Sequence, residues 1–208
     1  MHANAKSFEE QRAAPRSSLM LRTAKVVCLS GEYLCLIRDV SASGAGLRFF
    51  HAVPPEPRIF LELANGQIHP IERAWARDHV AGYRFASAID VEEFIAERSD
   101  HPHRTIRLRL ERAALVTVEG QDFHVTMRDI SRTGARIETE HSWPLQAFVR
   151  LDVTGLPIRY GHVRWREGSA HAIVCQNVMP LGDLAQHLLD LQPFAEQSGP
   201  NGWAIRAA

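Results

Sequence analysis

The chain has 208 residues, 45% of them hydrophobic and 23% charged, a balance that excludes a disordered chain and predicts soluble globular protein. Lys and Arg total 24 and so do Asp and Glu, so no global positive field is available to hold a nucleic-acid backbone. No stretch approaches the roughly 20 apolar residues of a membrane span, and the opening MHANAKSFEEQR lacks the apolar core of a signal peptide.

In chain order, the first 25 positions form a local basic cluster, Lys6, Arg12, Arg16, Arg22 and Lys25, against Glu9 and Glu10. Short strands are expected at residues 25–29, 34–38, 46–50, 59–63, 69–75 and 81–85, which are rich in β-branched, aromatic and alternating residues. Ser30-Gly31, Ser43-Gly44, Pro54-Pro55 and Asn65-Gly66 punctuate them, and Asn65-Gly66 between two apolar runs predicts a hairpin. Residues 90–97 read as a helix that starts on Asp90 as N-cap, with acids in its first turn. Ser-Asp-His-Pro-His then breaks both periodicities near residues 98–103. Strands follow at 114–118, 123–128, 135–139, 148–153, 158–165 and 171–175, and a helix at 181–191 sets Leu184, Leu188 and Leu191 on one face. The Ser, Gly, Pro and Asn-rich end is expected to fray.

The two halves are one unit written twice. Arg22-Thr-Ala-Lys-Val26 matches Arg112-Ala-Ala-Leu-Val116, and Asp39-Val-Ser41-Ala-Ser-Gly44-Ala45 matches Asp129-Ile-Ser131-Arg-Thr-Gly134-Ala135. Trp75 matches Trp165 and Phe85 matches Cys175, always 90 positions apart. A period this long predicts tandem domains rather than a solenoid. The expected organisation is a first domain at 1–98, a second at 99–195 and a tail at 196–208. Many short strands with regular turns predict an all-β sandwich or small closed barrel with a minor helical part.

Two clusters in the first unit carry chemistry. Arg12 and Arg16 are planar cationic forks, four residues apart and stiffened by Pro15, suited to phosphate and to the acceptor edge of guanine. Asp39 supplies an acceptor for the ring and exocyclic N–H groups of guanine, Ser41 donates or accepts, and Gly44 allows positive φ and close ligand approach. Together they describe a guanine-nucleotide site.

Arg-x-x-x-Arg followed at this distance by Asp-x-Ser-x-x-Gly resembles the PilZ domain family, bacterial receptors for cyclic di-GMP. The resemblance runs from Gln11 to about Phe85. It implies two tandem six-stranded β-barrels, each followed by a C-terminal helix, with the segment bearing Arg12 and Arg16 across the mouth of the first. In the family those arginines hold phosphates and guanine faces, while Asp39, Ser41 and Gly44 meet a guanine from the barrel surface. Gln11, just before the first arginine, and Trp75, near the site, are possible further contacts.

The second unit keeps Asp129, Ser131 and Gly134, but the offset of 90 sets Pro102 and Ile106 where the arginines stand in the first. It is therefore expected to keep the fold, to lose most or all of the binding, and to use Asp129 and Ser131 as turn-capping groups. A shifted register that brings Arg104 and Arg107 into use is the alternative. Trp75 and Trp165 are expected to pack against their barrels. Neither a nucleophile elbow nor a phosphate-loop or dinucleotide fingerprint is present, so no catalytic role is expected. His101-Pro-His103 has no neighbouring ligand at metal-binding spacing, so neither metal nor cofactor is expected. Cys28, Cys35 and Cys175 read as reduced, buried thiols of a cytoplasmic protein. The resemblance implies an output through an unidentified protein partner, with a homodimer possible and neither nucleic-acid binding nor membrane insertion. The competing reading is a ligand-independent PilZ-like adaptor for motility or secretion machinery.

Overall fold

The computed structural model describes residues 17–98 and 105–192. Gln11, Arg12 and Arg16, the break between the units and the C-terminal tail lie outside the described residues. The chain divides into two compact units, one formed mainly by residues up to Arg104 and the other mainly from Thr105 onward.

The first unit holds β1 (Ser17–Cys28), β2 (Gly31–Ser41), β3 (Gly44–Phe49), β4 (Arg58–Glu62), β5 (Ile68–Arg77), β6 (Val80–Phe85) and helix α1 (Val91–Ala96). Its strands close into a barrel in the order β1-β2-β3-β6-β5-β4. Strand period two explains the closure: Ala45, Leu47 and Phe49 point inward and are buried while Arg48 between them is exposed. Ile37, Val40, Leu61, Ile71, Ala81 and Tyr83 are buried in the same core. Asn65-Gly66 turns the chain between β4 and β5 as its sequence predicts: Gly66 sits at φ 87° and the Asn65 side chain accepts from the Gln67 N–H at 3.0 Å. Asp90 caps α1, accepting from the N–H groups of Glu92 and Glu93 at 2.8 and 3.0 Å. Phe94 anchors the helix edge-on against Phe85, their ring centroids 5.7 Å apart.

The second unit holds β7 (Leu108–Val118), β8 (Gln121–Ser131), β9 (Gly134–Glu138), β10 (Phe148–Asp152), β11 (Arg159–Glu167), β12 (Ala170–Cys175) and α2 (Leu181–Leu191). It closes as β10-β11-β12-β9-β8-β7. Leu184 and Leu188 of α2 are fully buried and Leu191 half-buried. Among the described residues no helix is long and apolar enough to cross a membrane.

The strands run longer than composition predicts. β7 begins at Leu108 rather than at 114, because Leu108 and Leu110 are buried and alternate with exposed Arg109 and Glu111. Residue 29, expected to end the first strand, is instead an exposed turn leucine. Asp39 and Ser41 lie inside β2 and Gly44 opens β3, so the motif is the arms of a hairpin with Ala42-Ser43 at its tip.

Bulges decide which side chains reach the outer face. The β2–β3 register slips between Ile37 and Asp39, leaving Arg38 as the extra residue. The β5–β6 register slips between Arg73 and Trp75, leaving Ala74 extra. Unpaired residues invert the inward-outward alternation. Without them Asp39 would point inward like Ile37 and Trp75 inward like Ile71. The second unit repeats both, between Met127 and Asp129 and between Val163 and Trp165.

Candidate functional site on the barrel face

The bulges place Asp39 and Trp75 at the two ends of one cross-strand row. Asp39 pairs with Gly46, Gly46 with Gly82 and Gly82 with Trp75. The two interior positions are glycines, and the terminal side chains lean over them. A Cβ on Gly46 would lie 2.5 Å from Asp39 Oδ2, and one on Gly82 would lie 2.2 Å from Trp75 Nε1. Facing Cβ positions on paired strands are about 5 Å apart, so carboxylate and indole stand about one strand apart on a floor without side chains. Trp75 is 47% exposed. Its ring packs over Gly82 of the barrel while part of it stays at the surface.

Ser41 and Gly44 shape the edge of this floor. The Ser41 hydroxyl donates to the Gly44 carbonyl at 3.3 Å and shares a 3.4 Å hydrogen bond with the Ser43 hydroxyl. Gly44 does not draw on the positive φ that glycine allows: it is absent from the positive-φ glycines, which include Gly31 and Gly66. Its need for glycine is steric, since a Cβ there would lie 2.3 Å from the Tyr83 carbonyl oxygen of β6. Behind the row, Tyr83 faces the core and burial pushes its hydroxyl pKa up, with Arg73 pulling weakly the other way.

The same row in the second unit reads Asp129, Arg136, Ala172 and Trp165. Arg136 replaces the glycine beside the carboxylate. Its Nε donates to Asp129 Oδ2 at 2.8 Å, while Arg107 donates to Asp129 Oδ1 at 2.7 Å. Asp129 is 6% exposed and both its oxygens are engaged. It is thus the centre of a cationic cluster rather than the turn cap that was expected. Ser131 does cap its turn, accepting from the Thr133 N–H at 3.3 Å and donating to the Gly134 carbonyl at 3.2 Å. Trp165 is 40% exposed, likewise a surface ring.

The offset of 90 makes Ile106 the counterpart of Arg16, yet the side chain over Asp129 is that of Arg107. A further bulge between Arg109 and Arg112 moves the register of β7 against β8, which a constant offset cannot follow. Arg107 was named in the shifted-register alternative, but Gly46, Gly82 and Arg136 were not singled out by the sequence reading. The missed signal was their position seven residues after the aspartate, or opposite the tryptophan, which matters only once the strands are paired. Among the described residues no three His, Cys, Asp or Glu side chains come together as a metal group.

The sequence matches the PilZ domain family over residues 101–191. A comparison with curated proteins returns no match. Among solved structures, PlzA of Borreliella burgdorferi in complex with c-di-GMP is 12% identical over 86% of this chain and 95% of its own, with a TM-score of 0.35. The inhibitor of motility MotI/DgrA of Bacillus subtilis is 9% identical over 83% of this chain and 96% of its own, with a TM-score of 0.35. YcgR of Escherichia coli in complex with c-di-GMP is 8% identical over 81% of this chain and 82% of its own, with a TM-score of 0.34. The family match falls on the unit whose aspartate is already held by two arginines, and it gives the chain a PilZ domain at residues 101–191.

Proposed function

We propose that the chain is a cyclic di-GMP receptor whose first unit is a PilZ barrel that binds the nucleotide. The PilZ domain at residues 101–191 supports a receptor family of that kind. The observation that carries the reading to the first unit is the glycine floor, with the Asp39 carboxylate over Gly46 and the Trp75 indole over Gly82. A carboxylate accepts the N1–H and N2–H donors of guanine, and a surface indole offers a face to a purine. Ser41 and Gly44 bound the same face. Arg12 and Arg16 supply what the floor lacks, cationic forks for the phosphates and the O6/N7 edge, with Gln11 beside them.

In this reading the protein is a receptor rather than an enzyme and acts in the cytoplasm, where the thiols of Cys28, Cys35 and Cys175 stay reduced. Ligand binding orders the arginine segment against the first barrel and changes the surface offered to a protein partner or a second copy. Such a switch needs a partner with different affinity for the two forms. The second unit serves as a docking scaffold. Its doubly engaged Asp129 favours that role and keeps the adaptor reading in play for this unit alone.

The test is calorimetric titration of the full chain with cyclic di-GMP, beside Arg16→Ala and Arg107→Ala. The reading expects binding that Arg16→Ala abolishes and Arg107→Ala retains. Absence of heat and of any competition by the nucleotide overturns it.

A further inference from the structure

We propose that Arg136 is a specificity-determining residue that closes the nucleotide face of the second unit by occupying it with the chain's own guanidinium. The inference rests on the receptor reading and deepens it, by naming the position that decides which of two repeated barrels is open.

The two faces differ at the centre of an otherwise equivalent row. Each has an aspartate aimed outward by a bulge at one end and a surface tryptophan at the other. Between them the first unit has Gly46 and Gly82, and the second has Arg136 and Ala172. In the first, no side chain rises from either glycine, and the nearest atoms over Gly46 and Gly82 among the described residues are those of Asp39 and Trp75. In the second, a long cationic side chain rises from the floor and ends on the carboxylate at 2.8 Å.

The chemistry of that contact matters more than its bulk. Guanine would approach the aspartate with neutral N–H donors in a row. Arg136 presents N–H donors with a full positive charge, so its hydrogen bond to the carboxylate carries an ion-pair attraction that a neutral base does not supply. It is also tethered one strand away, which gives it an effective concentration on the order of millimolar. A second messenger at lower concentration must displace a stronger, closer donor. Arg107 holds the other carboxylate oxygen at 2.7 Å, so each oxygen of Asp129 already accepts from a guanidinium.

The strand tolerates either residue. Asp129 accommodates the Cβ of Arg136 directly opposite it. In the first unit the clash of a Cβ on Gly46 would be with the Asp39 carboxylate, the movable end of a side chain. An arginine at 46 would lift Asp39 off the floor and seize it, as Arg136 does with Asp129. The exchange is therefore predicted to work in both directions.

The experiment is titration with cyclic di-GMP in the Arg16→Ala background, which silences the first unit. Adding Arg136→Gly is expected to create binding at least about tenfold tighter than in Arg16→Ala alone, and adding Arg107→Ala to remove it again. Arg136→Ala, which spares the strand the extra backbone freedom of glycine, is expected to do the same. Thermal unfolding checks that each variant is folded. Gly46→Arg in the otherwise native chain is expected to weaken binding by at least about tenfold. No gain from either Arg136 substitution overturns the proposal. So does binding in Arg16→Ala alone that Arg107→Ala abolishes, since the second unit would then be open with Arg136 in place. Failure of the receptor reading looks different: the wild-type chain itself takes up no nucleotide.

Discussion

The Trp75 indole rests on Gly82, where a single added carbon would lie 2.2 Å from its Nε1. The ring keeps its place because β6 offers no side chain under it, and because the bulge at Ala74 turns it outward. Gly82→Ala is therefore expected to lift the ring off the barrel. Crowding of this kind costs about 1 kcal/mol of stability, and nucleotide affinity is expected to fall about tenfold through loss of the stacking surface. Near-ultraviolet circular dichroism reports the ring and calorimetry the affinity. Unchanged affinity with a displaced ring would remove Trp75 from the site.

Arg22 and Arg112 share a second function besides their place in the repeat. Arg22 donates to the Ile95 carbonyl at the end of α1, and Arg112 donates to the Leu191 carbonyl at the end of α2. Each strand arginine thus satisfies a terminal helix carbonyl and complements the negative end of the dipole. Arg22→Met is expected to cost about 1 kcal/mol, since the side chain is 39% exposed. Arg112→Met is expected to cost about 2 kcal/mol, because α2 buries Leu184, Ala185 and Leu188 where α1 buries Phe94 alone. Urea unfolding of the two variants checks the order, and a larger loss in Arg22→Met would contradict it.

The pH dependence follows from His69. Its ring packs between Phe85 and Phe94, with centroids 5.7 and 5.2 Å away, and its Nε2 is buried without a partner. Burial lowers its pKa from the ordinary 6.5. As pH falls, the unfolded chain takes up this proton before the folded one does. The contribution is therefore complete above about pH 6.5 and is lost below it. His51, also lowered mainly by burial, acts in the same direction. The urea midpoint is expected to drop between about pH 7.5 and about pH 5.5, and by less in His69→Phe. An equal drop in the variant would show that His69 is not the group responsible.

Much of this was legible in the sequence. The offset of 90 announced two copies of one unit, and the Asn65-Gly66 turn and the Asp90 cap appear where local chemistry puts them. The Asp39–Ser41 motif was visible because its residue types are polar inside an apolar run. The floor beneath it was not. Gly46 and Gly82 look like ordinary strand glycines until pairing brings them side by side, and the bulges at Arg38 and Ala74 have no signature in composition. The constant offset pointed to Ile106, and Arg107 came into view only as the shifted-register alternative. Its position over Asp129 depends on a slipped register, and slipped registers are made by the whole sheet.

The cluster around Asp129 gives a last prediction about stability alone. The carboxylate is 8% exposed, while Arg107 and Arg136 are 41% and 44% exposed. The arginines remain hydrated if one contact is lost, but the carboxylate does not. Either arginine substitution is therefore expected to cost more than Asp129→Asn, about 2 kcal/mol against about 1 kcal/mol. Arg107→Ala and Arg136→Ala are expected to be non-additive. After the first loss the remaining arginine is the last charged partner of a buried carboxylate, so the double variant should exceed the sum by about 1 kcal/mol. Salt should shrink that coupling only in part, because screening reaches the exposed guanidinium groups better than the buried oxygens. Urea unfolding of the four-member cycle at low and high salt measures both quantities. Strict additivity would mean that Asp129 draws its support from elsewhere in the barrel.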